Sequence, residues 1–402
     1  MAKFKIALFF SDTGGGHRSA AEAIQAGINE IAANDSLGHE FEIVTENIVE
    51  HSHPLNRRFV DLYNYLLRNN QQSMHFYYWF INVFKPNDSE LGYRMCGSYV
   101  EKLLIDTEPN VVVSVHPMTN SFIARGLQET KLNLTAKLVT VVTDPNGDFW
   151  RGWACPSADL TVVPNELGRD QLIAWGVPAQ KIRALGMPVN PEFLKPPTMG
   201  KEEFRHHLGL HRDRLTICIN AGWAGGGNMM EIYRQLSKVE KPIQVIFLCG
   251  HNRSLYEKAK RLARKSNIPT AVLPFHDKIS DLMSAVDLMV TKAGGLTTFE
   301  AVAKRLPMAV DMITKPMPQE LGTATILIEN GLAQGVRHPE DICKIVEEFV
   351  PSPDRSEVKL PTNLCLDRAG AVYDIARAIM SYCDPLYQPN PEHRPTVERI
   401  TQ

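Results

Sequence analysis

Contiguous apolar runs alternate along most of the chain with stretches that place an apolar residue at every third or fourth position. The runs KFKIALFF, EFEIVTEN, NVVVSVH, KLVTVVTD and DLTVVPN fall in the first half, and RLTICINAG, IQVIFLCG, AVLPF, DLMVTKAG and PMAVDM in the second. A strand that is apolar throughout, rather than on alternate residues, belongs to a parallel sheet covered on both sides. Residues 17–33, 165–175, 254–265 and 295–304 carry the helical spacing and predict the covering helices. The alternation breaks at GMPVNPEFLKPPTMGKEE (186–203), where prolines and glycines resist regular structure. The pattern therefore predicts an α/β chain of two Rossmann-like, doubly wound parallel-sheet domains. The first would occupy 1–198 and the second 199–365, followed by a helix and tail over 366–402. Two such domains are expected to face a central cleft at the C-terminal ends of their strands, where these sheets take ligands.

Composition narrows the class. The 402 residues are 44% hydrophobic, enough for large cores, and the length favours two domains. A formal charge of −2 lacks the electrostatic footprint of a nucleic-acid binder. Seven scattered cysteines with no Cys-x-x-Cys argue against a disulfide framework or a zinc site. The start, MAKFKIALFF, lacks a signal peptide's long apolar core, and no apolar run reaches the ~18 residues of a membrane span. A soluble, cytoplasmic protein is expected.

Three glycine loops carry the candidate chemistry. In KIALFFSDTGGGHRSAAEAI a strand ends, three glycines follow, and a helix starts at His17. Strand, glycine turn and helix bring backbone N–H groups up to an anion or a polar substrate. The stretch is not a P-loop, because no Gly-Lys-Ser/Thr follows, and it lacks the dinucleotide spacing. A helix start disfavours imidazolium, so His17 reads as a neutral general base for a hydroxyl or as a satisfied structural histidine. The second loop, DLMVTKAGGLTTFEA, pairs Lys292 with Gly294 and Gly295 at a helix start that suits a diphosphate. Glu300, one turn further, reads as a ribose-binding carboxylate or, with Thr298, as a helix cap. The third, NAGWAGGGNMMEIY (220–233), repeats the design.

These motifs, together with VVVSVHPMTN, VVTDPNGDFW, LGMPVNPEF and VIFLCGHN, resemble the monogalactosyldiacylglycerol synthases and processive diacylglycerol glucosyltransferases. The resemblance runs in order from about residue 5 to 335. It implies the GT-B fold of inverting glycosyltransferases, with MurG a more distant relative. The implied reaction moves glucose or galactose from a UDP-sugar to a lipid hydroxyl such as that of diacylglycerol. By the same resemblance His17 is the catalytic base, and Gly15, Gly16, His116 and Asp144 lie on the acceptor side. Gly225 and Gly226 would lie near the diphosphate, and Lys292, Gly294, Gly295 and Thr297 would hold phosphate. Glu300 would bind ribose, while Gln319 and Glu320 would read the donor sugar. The last helix would return across the first domain. No metal or other cofactor is implied, and no Asp-x-Asp pair occurs to hold a divalent ion on the diphosphate.

The chain departs from the family pattern at named positions. Pro318 replaces a glycine, Thr323 stands where an asparagine is usual, and Asn190 stands where arginine is frequent. After Asp144 only Trp150 and Trp153 remain of a motif that normally adds a histidine. The aromatic segment SMHFYYWFINVF (73–84) reads as a lipid-contacting region or as a buried helix, with basic residues nearby at 56–58 and 68. HSH (51–53) and HH (206–207) lack partners at metal-ligand spacing. The expected partners are a UDP-hexose, a lipid acceptor and a membrane surface, with peripheral attachment at its inner face and no nucleic acid. Alternatives are a UDP-sugar 2-epimerase-like converting enzyme and a non-catalytic nucleotide-sugar sensor.

Overall fold

Twelve strands among the described residues form two sheets of six, and every neighbouring pair is parallel. The computed structural model describes residues 2–34, 38–69, 88–146, 149–352 and 370–384, with single positions at 74, 79, 81, 83, 355 and 360. The first sheet contains β1 (Lys3–Phe10), β2 (Glu40–Asn47), β3 (Val111–Ser114), β4 (Lys137–Val141), β5 (Leu160–Val163) and β6 (Ile182–Ala184). The second contains β7 (Leu215–Asn220), β8 (Ile243–Leu248), β9 (Thr270–Leu273), β10 (Leu288–Thr291), β11 (Met308–Asp311) and β12 (Ala333–Val336). The two sheets belong to separate compact units, divided at Pro191/Glu192. The first unit takes back the C-terminal helix Ala371–Cys383.

Strand order in the first sheet is β2-β1-β3-β4-β5-β6, and in the second β12-β11-β10-β7-β8-β9. Numbered within its own unit the second is 3-2-1-4-5-6, and the first begins 2-1-3-4-5, the two common doubly wound orders. The order reverses between β1 and β3 in one unit and between β7 and β10 in the other. Successive crossovers leave to opposite faces there, and the strand ends are left uncovered for ligands.

The cores follow from strands buried on both faces. Ile6, Leu8 and Phe10 of β1 meet Ile24 and Ile28 of the helix α1 (Gly16–Ala33) and Ile375 and Ile379 of Ala371–Cys383. The intervening Ala7 and Phe9 meet Val100, Leu104, Ile123 and Leu127 on the opposite face. Each large apolar side chain so buried contributes roughly 1.5–3 kcal/mol. In the second unit Ile217, Ile219, Val245, Phe247 and Val290 play the same part. The apolar runs thus mark ten strands, but β6 and β12 escape the pattern. Both are edge strands of three or four residues with half-exposed or polar positions, where little burial is needed.

Helix Ala371–Cys383 is seated on α1 through a small-residue contact. A Cβ at Gly27 would stand 3.1 Å from Val372 Cγ2 and 3.5 Å from Ala376 Cβ, and Tyr373 donates to Glu30 at 2.6 Å. Gly27→Val is expected to overpack this crossing and cost about 1–3 kcal/mol, read as a lowered urea midpoint. An unchanged midpoint would show that the returning helix does not depend on close approach.

Candidate functional site

Each unit presents one candidate site, and each lies at the reversal of its strand order. In the first unit, Gly14 and Gly15 after β1 hold φ of 71° and 84°, a region closed to most side chains. This turn starts α1 with Gly15 as its N-cap and sets His17 in the first turn. His17 Nδ1 lies 2.7 Å from the Val115 carbonyl oxygen, just beyond β3, and 3.2 Å from Thr143 Oγ1. A carbonyl only accepts, so Nδ1 carries the hydrogen and the neutral ring's lone pair sits on Nε2. Burial pushes the His17 imidazolium down to about 4, against the opposing Val115 hydrogen bond.

His116 adopts the other tautomer. The Met118 N–H donates to its Nδ1 at 3.3 Å, leaving Nε2–H for Thr13 Oγ1 at 3.0 Å. The two rings meet edge to face with centroids 4.4 Å apart. Burial, then the neighbouring His17, hold His116 well below its ordinary value. Asp144 accepts from Trp153 Nε1 at 2.7 Å, and burial pushes its carboxyl up to about 6. Trp153 is fully buried, with its ring centroid 6.1 Å from that of His17. The structure therefore brings His17, His116, Asp144 and Trp153 together. A Cβ at Gly16 would meet nothing within 4 Å, so the helix start is open there.

In the second unit the loops after β7 and β10 are adjacent because those strands pair. Gly225 has φ of 71°, and a Cβ there would overlap the Cys249 carbonyl oxygen and the Asn252 side chain. The Gly225 and Gly226 amides donate to Gly222 and Ala221 carbonyls at 3.1 and 3.0 Å. These two glycines thus serve the packing of their own loop, and their N–H groups are already used. Lys292 runs beside this loop, its Cδ 3.1 Å from where a Gly227 Cβ would stand. Gly294 is the N-cap of the helix Gly295–Ala303, and no side chain caps it. The first amide that bonds back is that of Thr298, to Gly294 at 3.2 Å, so Gly295, Leu296 and Thr297 present their N–H groups outward. The Thr298 hydroxyl turns back onto the Gly294 carbonyl at 2.8 Å, which is not a cap.

Glu300 is the anomaly of this site. It is only 9% exposed, and among the described residues its carboxyl has no hydrogen-bond or ion-pair partner. Burial, followed by the nearby Glu192, pushes it up to about 8. Glu320 is buried and accepts from the Met317 N–H at 3.4 Å at the start of the helix Pro318–Glu329. Pro318 is the first residue of that helix, where a missing N–H costs nothing. The Gln319 side chain and most of segment 73–84 lie outside the described residues. Sequence reasoning missed Thr13, Val115 and Thr143, the contacts of the histidine pair. Each adjoins a feature that the motifs singled out: Thr13 the three glycines, Val115 His116, and Thr143 Asp144.

Residues 17–189 match the family model for monogalactosyldiacylglycerol (MGDG) synthase, and residues 228–317 match that for the glycosyltransferase family 28 C-terminal domain. This chain is a glycosyltransferase. It is 28% identical over 382 residues to the probable chloroplastic monogalactosyldiacylglycerol synthase of Nicotiana tabacum, covering 92% of this chain and 69% of that one. MurG of Acinetobacter baumannii has the same GT-B fold, with a TM-score of 0.54 at 14% identity over 94% of this chain and 99% of its own. The UDP-GlcNAc 2-epimerase of Neisseria meningitidis, solved with UDP-GlcNAc, gives 0.58 at 13% over 94% and 99%. The first match covers the glycosyltransferase's histidine pair and Asp144, and the second covers Lys292 and Glu300.

Burial of Glu300 has a consequence for stability. Its folded value of about 8 lies above the ordinary 4.5, so the native state holds a proton that the unfolded chain has lost between those values. That contribution is complete below pH 4.5 and is lost as pH rises through 8. Glu300→Gln is expected to flatten the fall of the thermal midpoint between pH 5 and 8. Parallel curves for variant and wild type would place the carboxyl in solvent.

Proposed function

We propose that the enzyme transfers glucose or galactose from its UDP form to a hydroxyl of diacylglycerol or a related lipid, inverting the anomeric carbon. The observation that carries this reading is His17, a neutral imidazole whose Nδ1–H is committed to Val115, leaving Nε2 as a base. In the reaction Nε2 takes the acceptor hydroxyl proton as that oxygen bonds to the anomeric carbon. The bond from that carbon to the diphosphate oxygen breaks, and UDP leaves with the electron pair. The imidazolium is stabilised by the Val115 carbonyl and Thr143 hydroxyl, with His116 neutral beside it.

The second unit supplies the complementary charge. Lys292 and the outward amides of Gly295 to Thr297 suit the negative charge that grows on the leaving diphosphate. Glu300, buried and without a donor, suits the two hydroxyls of a ribose, which would supply the hydrogen bonds it lacks. Glu320 stands at a helix start suited to sugar hydroxyls, and no step is routed through a metal ion. The solved neighbour bound to UDP-GlcNAc supports a nucleotide-sugar donor on this fold. The tobacco relative, named for monogalactosyldiacylglycerol synthesis, supports the lipid acceptor.

The test is incubation with labelled UDP-glucose or UDP-galactose and diacylglycerol vesicles, with mass detection of products. A glycolipid supports the transferase. A changed soluble sugar would instead indicate an epimerase, and binding without turnover a sensor. His17→Ala is expected to lower turnover by about 10²–10⁴ while UDP affinity stays unchanged, and unaltered turnover would remove the base assignment.

Access to a lipid acceptor is supported by the helix α3 (Pro54–Asn69), which follows the short helix α2 (Ile48–Ser52). Val60 and Leu67 of α3 are buried, yet Leu55, Phe59 and Leu62 form a second stripe exposed at 45%, 46% and 46%. Six of the fourteen large exposed apolar side chains among the described residues fall between 55 and 83, a clustering that scattered surface exposure does not produce. The exposed Arg57 and Arg58 outnumber Asp61 on the same helix, which suits an anionic surface. Among the described residues no helix is long and apolar enough to cross a membrane. The double variant Phe59→Asp, Leu62→Asp is expected to release the protein from anionic vesicles in sedimentation. Retention equal to wild type would place the lipid contact elsewhere.

A further inference from the structure

The corner between β2 and α2 carries a side-chain pair that its own helix does not use. Asn47 and Glu50 have the spacing of an N-cap and its third helical residue, at which the two side chains could satisfy each other's backbone amides. They do not do so, and Asn47 makes no side-chain cap. Glu50 Oε1 instead accepts the Ser11 hydroxyl at 2.9 Å and the Asp12 N–H at 2.8 Å. Asn47 Nδ2 donates to Asp12 Oδ2 at 2.9 Å, and Arg18 reaches the same carboxylate through Nε and Nη2 at 2.6 and 2.5 Å. The arrangement leaves Glu50 Oε2 and Asn47 Oδ1 buried with no partner among the described residues. An orphaned buried acceptor is costly, and here two are tolerated in one turn of helix. A cap was available to this segment, so helix stability alone does not account for the arrangement.

Its effect is to clamp Ser11 and Asp12, the corner that leads to the catalytic loop. The next residue, Thr13, receives the His116 Nε2–H, and His116 lies edge-on to His17. The same corner leads through Gly14 and Gly15 into α1, whose first turn carries His17. We propose that Glu50 is a positioning residue for the His17 base, holding the turn that fixes both the start of α1 and the His116 ring. Glu50 touches no reacting atom. It acts through Ser11, Asp12 and Thr13, and the inference rests on His17 being the base.

The test reads the His17 tautomer by ¹⁵N side-chain chemical shifts, assigned by difference with His17→Gln, beside turnover and UDP titration. Wild type is expected to show the Nδ1-protonated neutral ring. Glu50→Ala should mix the two tautomers and lower kcat by about 10–100-fold, the scale of small misplacement, with UDP affinity unchanged. Glu50→Gln keeps the accepting oxygen and should restore the single tautomer and turnover to within about threefold. Glu50→Ala with wild-type tautomer and turnover would overturn the proposal, and so would Glu50→Gln as damaging as Glu50→Ala. Should Glu50→Ala fail to fold, Ser11→Ala removes one of the two hydrogen bonds at nearly constant volume. It must then show the same tautomer mixing to a smaller degree, and a wild-type spectrum rejects the role. If wild type makes no glycolipid the transferase reading fails, while the tautomer measurement still decides the role of Glu50.

Discussion

Both candidate sites depend on one topological constraint, the pairing of strands whose following helices leave to opposite faces. Pairing β1 with β3 sets the His17 turn beside the Val115 carbonyl. Pairing β7 with β10 sets the loop 221–227 beside Lys292 and the uncapped start of Gly295–Ala303. In a parallel sheet all strand C-termini point the same way, so an uncovered gap there collects loop side chains and helix amides together. The apolar strands supply the burial that holds this register, and the polar residues at their ends are free to differ.

Burial does opposite work on the two charged partners of the proposed reaction. It suppresses the imidazolium at His17, so the ring is neutral at physiological pH and its free nitrogen is fixed by a carbonyl rather than a carboxylate. At Glu300 it suppresses the carboxylate, which has no donor to offset the loss of water. The first group has one ring nitrogen hydrogen-bonded and, among the described residues, no partner recorded for the other. The second is unsatisfied, a cost that a diol would remove on binding. The two orphaned oxygens of the β2–α2 corner belong to the same class of local sacrifice, and they too lie next to the candidate chemistry rather than in the remote core.

The glycine loops illustrate how far local pattern can be read. All three occur where a strand meets a helix, yet they serve different ends. Gly15 is needed for a left-handed turn, Gly225 for close approach of the segment around Cys249 and Asn252, and Gly294 for a bare helix start. Identical residues in similar settings thus divide into those packed against the rest of the protein and those with open space beside them. That division rests on neighbours distant in the chain, Cys249 for one and nothing within 4 Å for another. The edge strands β6 and β12 carried no signal because Arg183, Gln334 and Gly335 interrupt their apolar positions, whereas the edge strands β2 and β9 keep apolar runs.

What the amino-acid order determined by itself was the class of fold, ten of the twelve strands, the glycine turns, and His17, Lys292 and Glu300 as residues of interest. Those features arise from short-range periodicity and turn chemistry, which neighbouring residues encode directly. Strand order, the tautomers of the histidine pair, the used amides of Gly225 and Gly226, the isolation of Glu300 and the strap from Glu50 emerged only in the tertiary structure. Each depends on which distant groups share a desolvated space, and desolvation is a property of packing that no local stretch contains.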